Sequence, residues 1–189
     1  MAKVDSKIEV EVPVQTAYNQ WTQFEEFPRF MEGVEEVRQM GDERLHWAAQ
    51  ISGERKEWDA LITRQVPDEV IAWESQGGTR NDGTVIFKPI DGGRTEIELH
   101  INYEPEGMKE DVGSAMGVVS RRVEGDLKRF KEFIETRGRE TGAWRGEISH
   151  GETGGQGMSG RGGIDTAPDR PEGGMGRPGL DDEPGSRTL

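Results

Sequence analysis

The first hundred residues alternate between apolar and polar side chains with the period of two that is typical of half-buried strands. Residues 3–12 place Val4, Ile8 and Val10 on one face and charged side chains on the other. The same alternation returns, between short turns rich in Gly, Asp and Pro, near residues 34–40, 44–51, 55–65, 69–76, 83–88 and 94–103. Short turns between successive strands predict a seven-stranded antiparallel sheet.

In two parts of the chain the apolar residues recur every three or four positions, which is the period of an α-helix. Pro13 and the apolar spacing that follows it predict a short helix, and a second short helix is expected to begin around Pro28. Apolar residues between 112 and 134 step by three or four, which predicts one long helix that begins near 106–109 and ends at Gly138. This order of elements predicts an α+β helix-grip fold, in which a curved sheet wraps around a long C-terminal helix.

Composition divides the chain at residue 138. The last 51 residues contain 14 of the 27 glycines and four of the nine prolines, but one tryptophan and no phenylalanine or tyrosine. Such a segment buries too little apolar surface to offset the entropy lost on ordering it. We therefore expect residues 1–138 to form one folded domain and residues 139–189 to form a flexible, acidic, Gly-rich tail.

The charge and residue usage exclude several classes of function. The net charge of −13 repels nucleic-acid phosphates, so no nucleic-acid partner is expected. The chain has no cysteine and no metal-ligand or cofactor-binding motif, so neither a metal nor a cofactor is predicted. No apolar run has the length of a membrane span or signal peptide, which predicts a cytoplasmic protein. Transient membrane contact and the oligomeric state stay open.

Three of the five tryptophans fall on one predicted face of the sheet. Trp47 and Trp58 lie opposite each other if the intervening turn has two residues, and a four-residue turn at 65–68 sets Ala60 opposite Trp73. The carboxylates next to these tryptophans in sequence then point to the outer face of the sheet. This placement argues against catalysis by a tryptophan-carboxylate pair.

A family resemblance is carried by the runs VPVQTAYNQWTQFEEFPRFM, GDERLHW, EWDALITRQVPDEVIAWES, FKPIDGGRTEIELHINYEPEG and VEGDLKRFKEFIETRG. Together, over about residues 3–145, they resemble the polyketide cyclase/dehydrase and coenzyme-Q-binding branch of the SRPBCC (START-like) superfamily. The resemblance implies a cavity between the sheet and the long helix. It also implies a small hydrophobic ligand such as a lipid, an isoprenoid quinone or a polyketide-like aromatic compound, and it supplies no shared catalytic signature.

The inner face of this fold supplies the candidate ligand-binding residues. Tyr103 ends the last strand on that face and is the candidate for a hydrogen bond to a ligand or for proton transfer. Alternation does not distinguish side chains that line a cavity from side chains that fill a core. The full candidate set is Phe27, Phe30, Met31, Trp47, Trp58, Trp73, Phe87, Leu99, Tyr103, Met116, Val119 and Val123.

Three functions are compatible with these observations. The preferred one is non-catalytic binding, transport or sequestration of a small hydrophobic ligand. The second is a polyketide aromatase/cyclase or dehydratase that acts in the same cavity, and the third is an interaction domain with a flexible tail. A buried acid, histidine or arginine in the cavity would favour an enzyme, whereas an apolar lining would favour a carrier. A cavity below about 300 Å³ would leave only the interaction domain.

Overall fold

One antiparallel sheet dominates the computed structural model, which describes residues 2–51, 53–77, 80–104 and 112–150. The strands are β1 (Ala2–Val10), β2 (Val34–Gln39), β3 (Arg44–Ile51), β4 (Glu54–Val66), β5 (Val70–Gln76), β6 (Asn81–Asp91) and β7 (Arg94–Tyr103). Their order across the sheet is β1-β7-β6-β5-β4-β3-β2, with antiparallel neighbours throughout. The predicted α+β helix-grip fold is confirmed.

Two short helices follow β1. They are the α-helix α1 (Val14–Trp21) and a 3-10 helix (Phe24–Arg29). The second helix was expected to begin around Pro28, but Pro28 lies inside it. Phe24 and Phe27 are both buried and stand three residues apart, which matches the three-residue period of a 3-10 helix.

The long helix α2 (Val112–Arg137) lies on the inner face of the sheet and packs against β1. It ends as predicted: Gly138 has a φ of +66°, and its N–H donates to the Ile134 carbonyl at 2.8 Å. The start predicted near 106–109 lies outside the described residues.

The strand register explains why the tryptophans share a face. Trp47 pairs with Trp58, as predicted. Trp73 pairs with Ile62 rather than with Ala60. Val66 pairs with Val70, so the turn lies at 67–69 instead of the predicted 65–68, and an irregularity in β4 between Ile62 and Arg64 shifts the register back by one residue. The predicted partner was wrong by two residues, and a shift of two keeps the side chain on the same face.

Residues 139–150 extend the folded unit beyond the boundary predicted at residue 138. They include a short strand, β8 (Ile148–Ser149), that pairs with β4. Arg145 donates to both carboxylate oxygens of Asp68, at 2.9 and 2.7 Å, and the Thr141 N–H donates to Gln20 Oε1 at 2.9 Å. Composition did not reveal this segment, since polar contacts hold most of it. The remainder of the predicted tail, 151–189, lies outside the described residues.

Candidate ligand cavity

A cavity lies between the inner face of the sheet and the part of α2 that runs from Val119 to Leu127. Its volume is about 170 Å³. The side chains that line it are Trp21, Phe24, Phe27, Met31, Glu32, Val34, Leu45, Trp47, Ala49, Ile51, Trp58, Ile62, Ile71, Trp73, Asn81, Leu99, Ile101, Tyr103, Val119, Arg122, Val123, Asp126 and Leu127.

Most of the residues predicted from the sequence are brought together here. Nine of the twelve candidates line the cavity, namely Phe27, Met31, Trp47, Trp58, Trp73, Leu99, Tyr103, Val119 and Val123. The structure thus places Tyr103 at the cavity, and its role in hydrogen bonding or proton transfer stays a prediction.

Three candidates lie elsewhere. Phe30 is buried against Phe130, with ring centroids 5.2 Å apart. Phe87 is buried edge-on against Tyr18, at 5.5 Å. Met116 is partly buried on α2, before the first lining residue of that helix. Phe30 and Phe87 therefore belong to the filled core, because the neighbouring rings occupy the space around them.

Sequence reasoning missed the charged residues of the lining. Arg122 and Asp126 stand at i+3 and i+7 from Val119, on the same helical stripe as Val123. That spacing was the available signal, but the stripe was identified from its apolar members alone. Glu32, in the loop before β2, is the third charged residue of the lining.

Asp126 is held by two hydrogen bonds that both end on its Oδ1 atom. The backbone N–H of Glu32 donates to this oxygen at 2.8 Å, and Arg129 Nη2 donates to it as well. Burial raises the pKa of the Asp126 carboxyl above its ordinary value of 3.8, although these hydrogen bonds and the charges of Arg129 and Arg122 act in the opposite direction. The cavity therefore contains a half-buried acid that favours its protonated form more than a solvated aspartate does.

Two further lining residues carry buried polar atoms that have no hydrogen-bond partner among the described residues. These atoms are Trp47 Nε1, a donor, and Asn81 Oδ1, an acceptor. The indole of Trp47 stacks on that of Trp58 with centroids 5.9 Å apart and planes 8° apart. Leaving a buried polar group unpaired costs about 1–3 kcal/mol, so these atoms are exceptions in a folded domain.

Gly83 on β6 determines how Trp73 reaches the cavity. The two residues are paired across β5 and β6, and Trp73 Nε1 donates to the Asn81 carbonyl at 3.1 Å. A Cβ atom on Gly83 would lie 2.2 Å from Trp73 Cζ2, which is far inside van der Waals contact. Glycine at this position lets the indole ring cross the neighbouring strand.

The acidic neighbours of the tryptophans lie on the outer face. His46 Nδ1 is 2.8 Å from Asp59 Oδ1, and His46 Nε2 is 3.8 Å from Glu57. These three side chains contact one another outside the cavity. Across the part of the chain that the structure describes, no group of three or more side chains could hold a metal ion, and no helix is long and apolar enough to cross a membrane.

Comparisons with known proteins agree with this architecture. Residues 10–132 match a family described as polyketide cyclase/dehydrase and lipid transport. A 17.2 kDa protein of Streptomyces lincolnensis is 50% identical over 149 residues, which cover 78% of this chain and 99% of that protein.

Solved structures with similar folds come from several bacteria. A protein of Deinococcus radiodurans is 25% identical, with a TM-score of 0.59 over 72% of this chain and 99% of its own. An aromatase/cyclase of a Streptomyces species is 17% identical, with a TM-score of 0.62 over 76% and 99%. A START superfamily protein of Mycobacterium smegmatis is 14% identical, with a TM-score of 0.56 over 71% and 95%. The last two likenesses show the fold alone.

Proposed function

Because the chain belongs to the polyketide cyclase/dehydrase and lipid transport family, we propose that it binds a small hydrophobic ligand in the cavity between the sheet and α2. The observation that carries this proposal is the lining, in which Trp47, Trp58 and Trp73 stand among other apolar side chains around an unfilled space. Apolar ligand surface buried there contributes roughly 25 cal/mol per Å², which supplies most of the affinity.

The size of the cavity restricts the ligand. Its volume of about 170 Å³ is below about 300 Å³, the size under which only an interaction domain was expected. That limit applies to sites that enclose a drug-sized molecule, and it does not exclude a smaller ligand. An apolar cavity of about 150 Å³ holds a benzene molecule. The proposed ligand, or the part of it that the cavity encloses, therefore has the size of one or two rings or a short isoprenoid chain. A whole quinone or a polyketide of several rings does not fit in this conformation.

Native mass spectrometry of the purified full chain, followed by a thermal-shift screen, tests the proposal. We expect a bound small apolar compound, or an increase in the unfolding temperature with one- and two-ring aromatic and short isoprenoid compounds. Val119→Phe is the matched control, because the larger side chain occupies the cavity and removes the shift. If no compound is bound and none changes the unfolding temperature, the interaction-domain hypothesis, which the small volume favours, replaces ligand binding.

A second candidate function is acid-base catalysis of the cyclase or dehydratase type in the same cavity. Asp126 favours it, since its burial raises the pKa of a carboxyl group that lines the ligand space. In its ionised form such a group accepts a proton from the carbon next to a ketone. In its protonated form it donates that proton to the ketone oxygen, which gives the enol. Deuterium exchange into the methyl group of acetophenone measures this ability. The enzyme hypothesis expects faster exchange with wild type than with Asp126→Asn, and equal rates would contradict it.

A further inference from the structure

At the Glu32 end of the cavity, two acidic side chains interact with the same arginine, Arg129. Arg129 interacts with both acids there: it donates to Asp126, and its Nη2 lies 3.5 Å from a carboxylate oxygen of Glu32. Its Nε also donates to the Phe30 carbonyl at 2.9 Å. The two acids at this end therefore share one arginine, and that arginine has a fixed position.

Arg122 is the second arginine at this end, and it lacks such partners. Within the described ranges its guanidinium donates no hydrogen bond, and no carboxylate oxygen lies within 4.0 Å of it. Asp126, which also lines the cavity, is farther away but still interacts with Arg122 electrostatically. The guanidinium passes close to Gly33, where a Cβ atom would lie 3.7 Å from Nη2. Arg122 is partly buried, so its guanidinium is partly desolvated, and no carboxylate among the described residues pairs with it to compensate.

We infer that the ligand of this cavity carries a carboxylate and that Arg122 binds it. A guanidinium presents five N–H donors in a planar fork that matches the two oxygens of a carboxylate. The ring or chain of the ligand lies against the tryptophans, and its acid group lies at the Arg122 end. This inference rests on the proposed function and adds the chemical class, a small aromatic or short-chain carboxylic acid.

The remaining charges decide how selective the site is. Asp126 repels a ligand carboxylate, but Arg129 offsets its charge and both described hydrogen bonds to Asp126 end on Oδ1. The whole chain has a net charge of −13, which disfavours anions in general. A preference for an anionic ligand therefore requires a local cation, and Arg122 is the cavity-lining cation without a carboxylate partner among the described residues.

Isothermal titration calorimetry with two matched probes tests the inference at neutral pH. Naphthalene-2-carboxylate and naphthalene-2-carboxamide have nearly the same shape and differ in charge. We expect the wild-type chain to bind the carboxylate on the order of tenfold more tightly, the effect of a hydrogen bond to a charged group. Arg122→Met should abolish this preference by weakening carboxylate binding while leaving carboxamide binding within about twofold.

Two further variants separate a specific role from a structural one. Arg121→Met removes the neighbouring exposed arginine, whose Nε donates to the Gly117 carbonyl, and should behave like wild type. Arg122→Lys keeps the charge without the planar fork, and an intermediate preference is expected. Thermal unfolding of each variant shows whether it is folded before titration.

The outcomes distinguish the inference from the proposed function. Equal wild-type affinities for the two probes, or a preference that survives Arg122→Met, would overturn the role of Arg122 and leave ligand binding intact. If neither probe binds the wild-type chain, ligand binding in this cavity is overturned and the inference falls with it.

Discussion

The two ends of α2 cover very different parts of the same sheet. Toward its C-terminus, Phe130 and Ile134 are completely buried. Trp21 meets Phe130 edge-on with ring centroids 4.9 Å apart, and Phe30 meets it from another side. The aromatic rings here fill the space between helix and sheet, so this region is a packed core of ordinary kind.

Nearer its N-terminus, the described part of α2 presents Val119, Arg122 and Val123 to the sheet, and a cavity remains. On the sheet opposite them, Trp47 and Trp58 stack on each other with ring centroids 5.9 Å apart. Strand alternation is the same in both regions. The difference lies in the helix, whose side chains are large where the core is filled and small or charged where it is not.

The largest expected effect is the loss of a ring from the filled region. Phe130→Ala should lower the free energy of unfolding by about 3–5 kcal/mol, because it removes a fully buried phenyl group and leaves a void. Val119→Ala, at the cavity, should lower it by less than about 1 kcal/mol. Urea unfolding measures both. Similar losses at the two positions would show that the regions do not differ in packing.

Enlarging a side chain should also distinguish the filled region from the cavity. Val10 is completely buried, and the backbones of its neighbours Glu9 and Glu11 hydrogen-bond to Lys131 and Glu135 near the C-terminus of α2, in the filled region. Val10→Phe should lower the free energy of unfolding by about 1–3 kcal/mol through overpacking. Val119→Phe has space to enter and should change it by less than about 1 kcal/mol. Urea unfolding again gives both values. An equally large loss for Val119→Phe would contradict the presence of usable space.

Gly83 provides a test of the cavity wall. Gly83→Ala should lower the free energy of unfolding by about 1–2 kcal/mol and displace the Trp73 indole, because the added Cβ overlaps the ring. Gly92→Ala is the matched control, since a Cβ there meets nothing within 4 Å. Thermal unfolding and tryptophan emission report the two effects. Indistinguishable behaviour of the two variants would show that Trp73 does not need Gly83.

The smallest effect concerns the pH dependence of stability. Burial raises the pKa of Asp126 in the folded state, so the folded chain holds this proton more tightly than the unfolded chain does. The contribution of Asp126 to stability is therefore present below its ordinary pKa of 3.8 and is lost as the pH rises through the folded value.

Asp126→Asn removes this titration. Relative to wild type, the variant should gain stability as the pH rises from 3.8 toward neutrality, and chemical unfolding across that range measures the difference. Asp82→Asn is a useful contrast: burial raises the pKa of Asp82, but hydrogen bonds from Arg80 and Ser75 outweigh burial and hold it below 3.8. That variant should lose stability relative to wild type as the pH rises toward 3.8 from below, so the unfolding series extends to lower pH for this pair. A constant difference between wild type and Asp126→Asn would contradict a raised pKa.

The sequence predicted the fold and the tryptophan wall for clear physical reasons. Period-two alternation keeps Trp47, Trp58 and Trp73 on one face in every register that differs from the predicted one by an even number of residues, so the wrong partner predicted for Trp73 did not matter. The family resemblance is likewise confirmed. Both results depend on patterns that extend over many residues.

The charged part of the site could not be predicted in the same way. The spacing of Arg122 from Val119 places it on the stripe that faces the sheet, but the stripe was identified from its apolar members alone, because an arginine beside such a stripe commonly extends its charged end into solvent. The unfilled space was equally hidden, because side chains that line a cavity and side chains that fill a core follow the same pattern. Residues 139–150 were missed since their contacts with α1 and β4 are mainly polar and long-range.

The central claim is that the space beside the tryptophans is a ligand site, and the indole N–H signals of the protein test it most directly. Trp21, Trp47, Trp58 and Trp73 line the cavity, whereas Trp144 lies in the 139–150 segment and does not. In ¹H–¹⁵N correlation spectra, with signals assigned by single Trp→Phe variants, naphthalene-2-carboxylate should shift the four cavity indoles and leave Trp144 unchanged. Unchanged cavity signals at saturating probe, or a shift confined to Trp144, would contradict the claim.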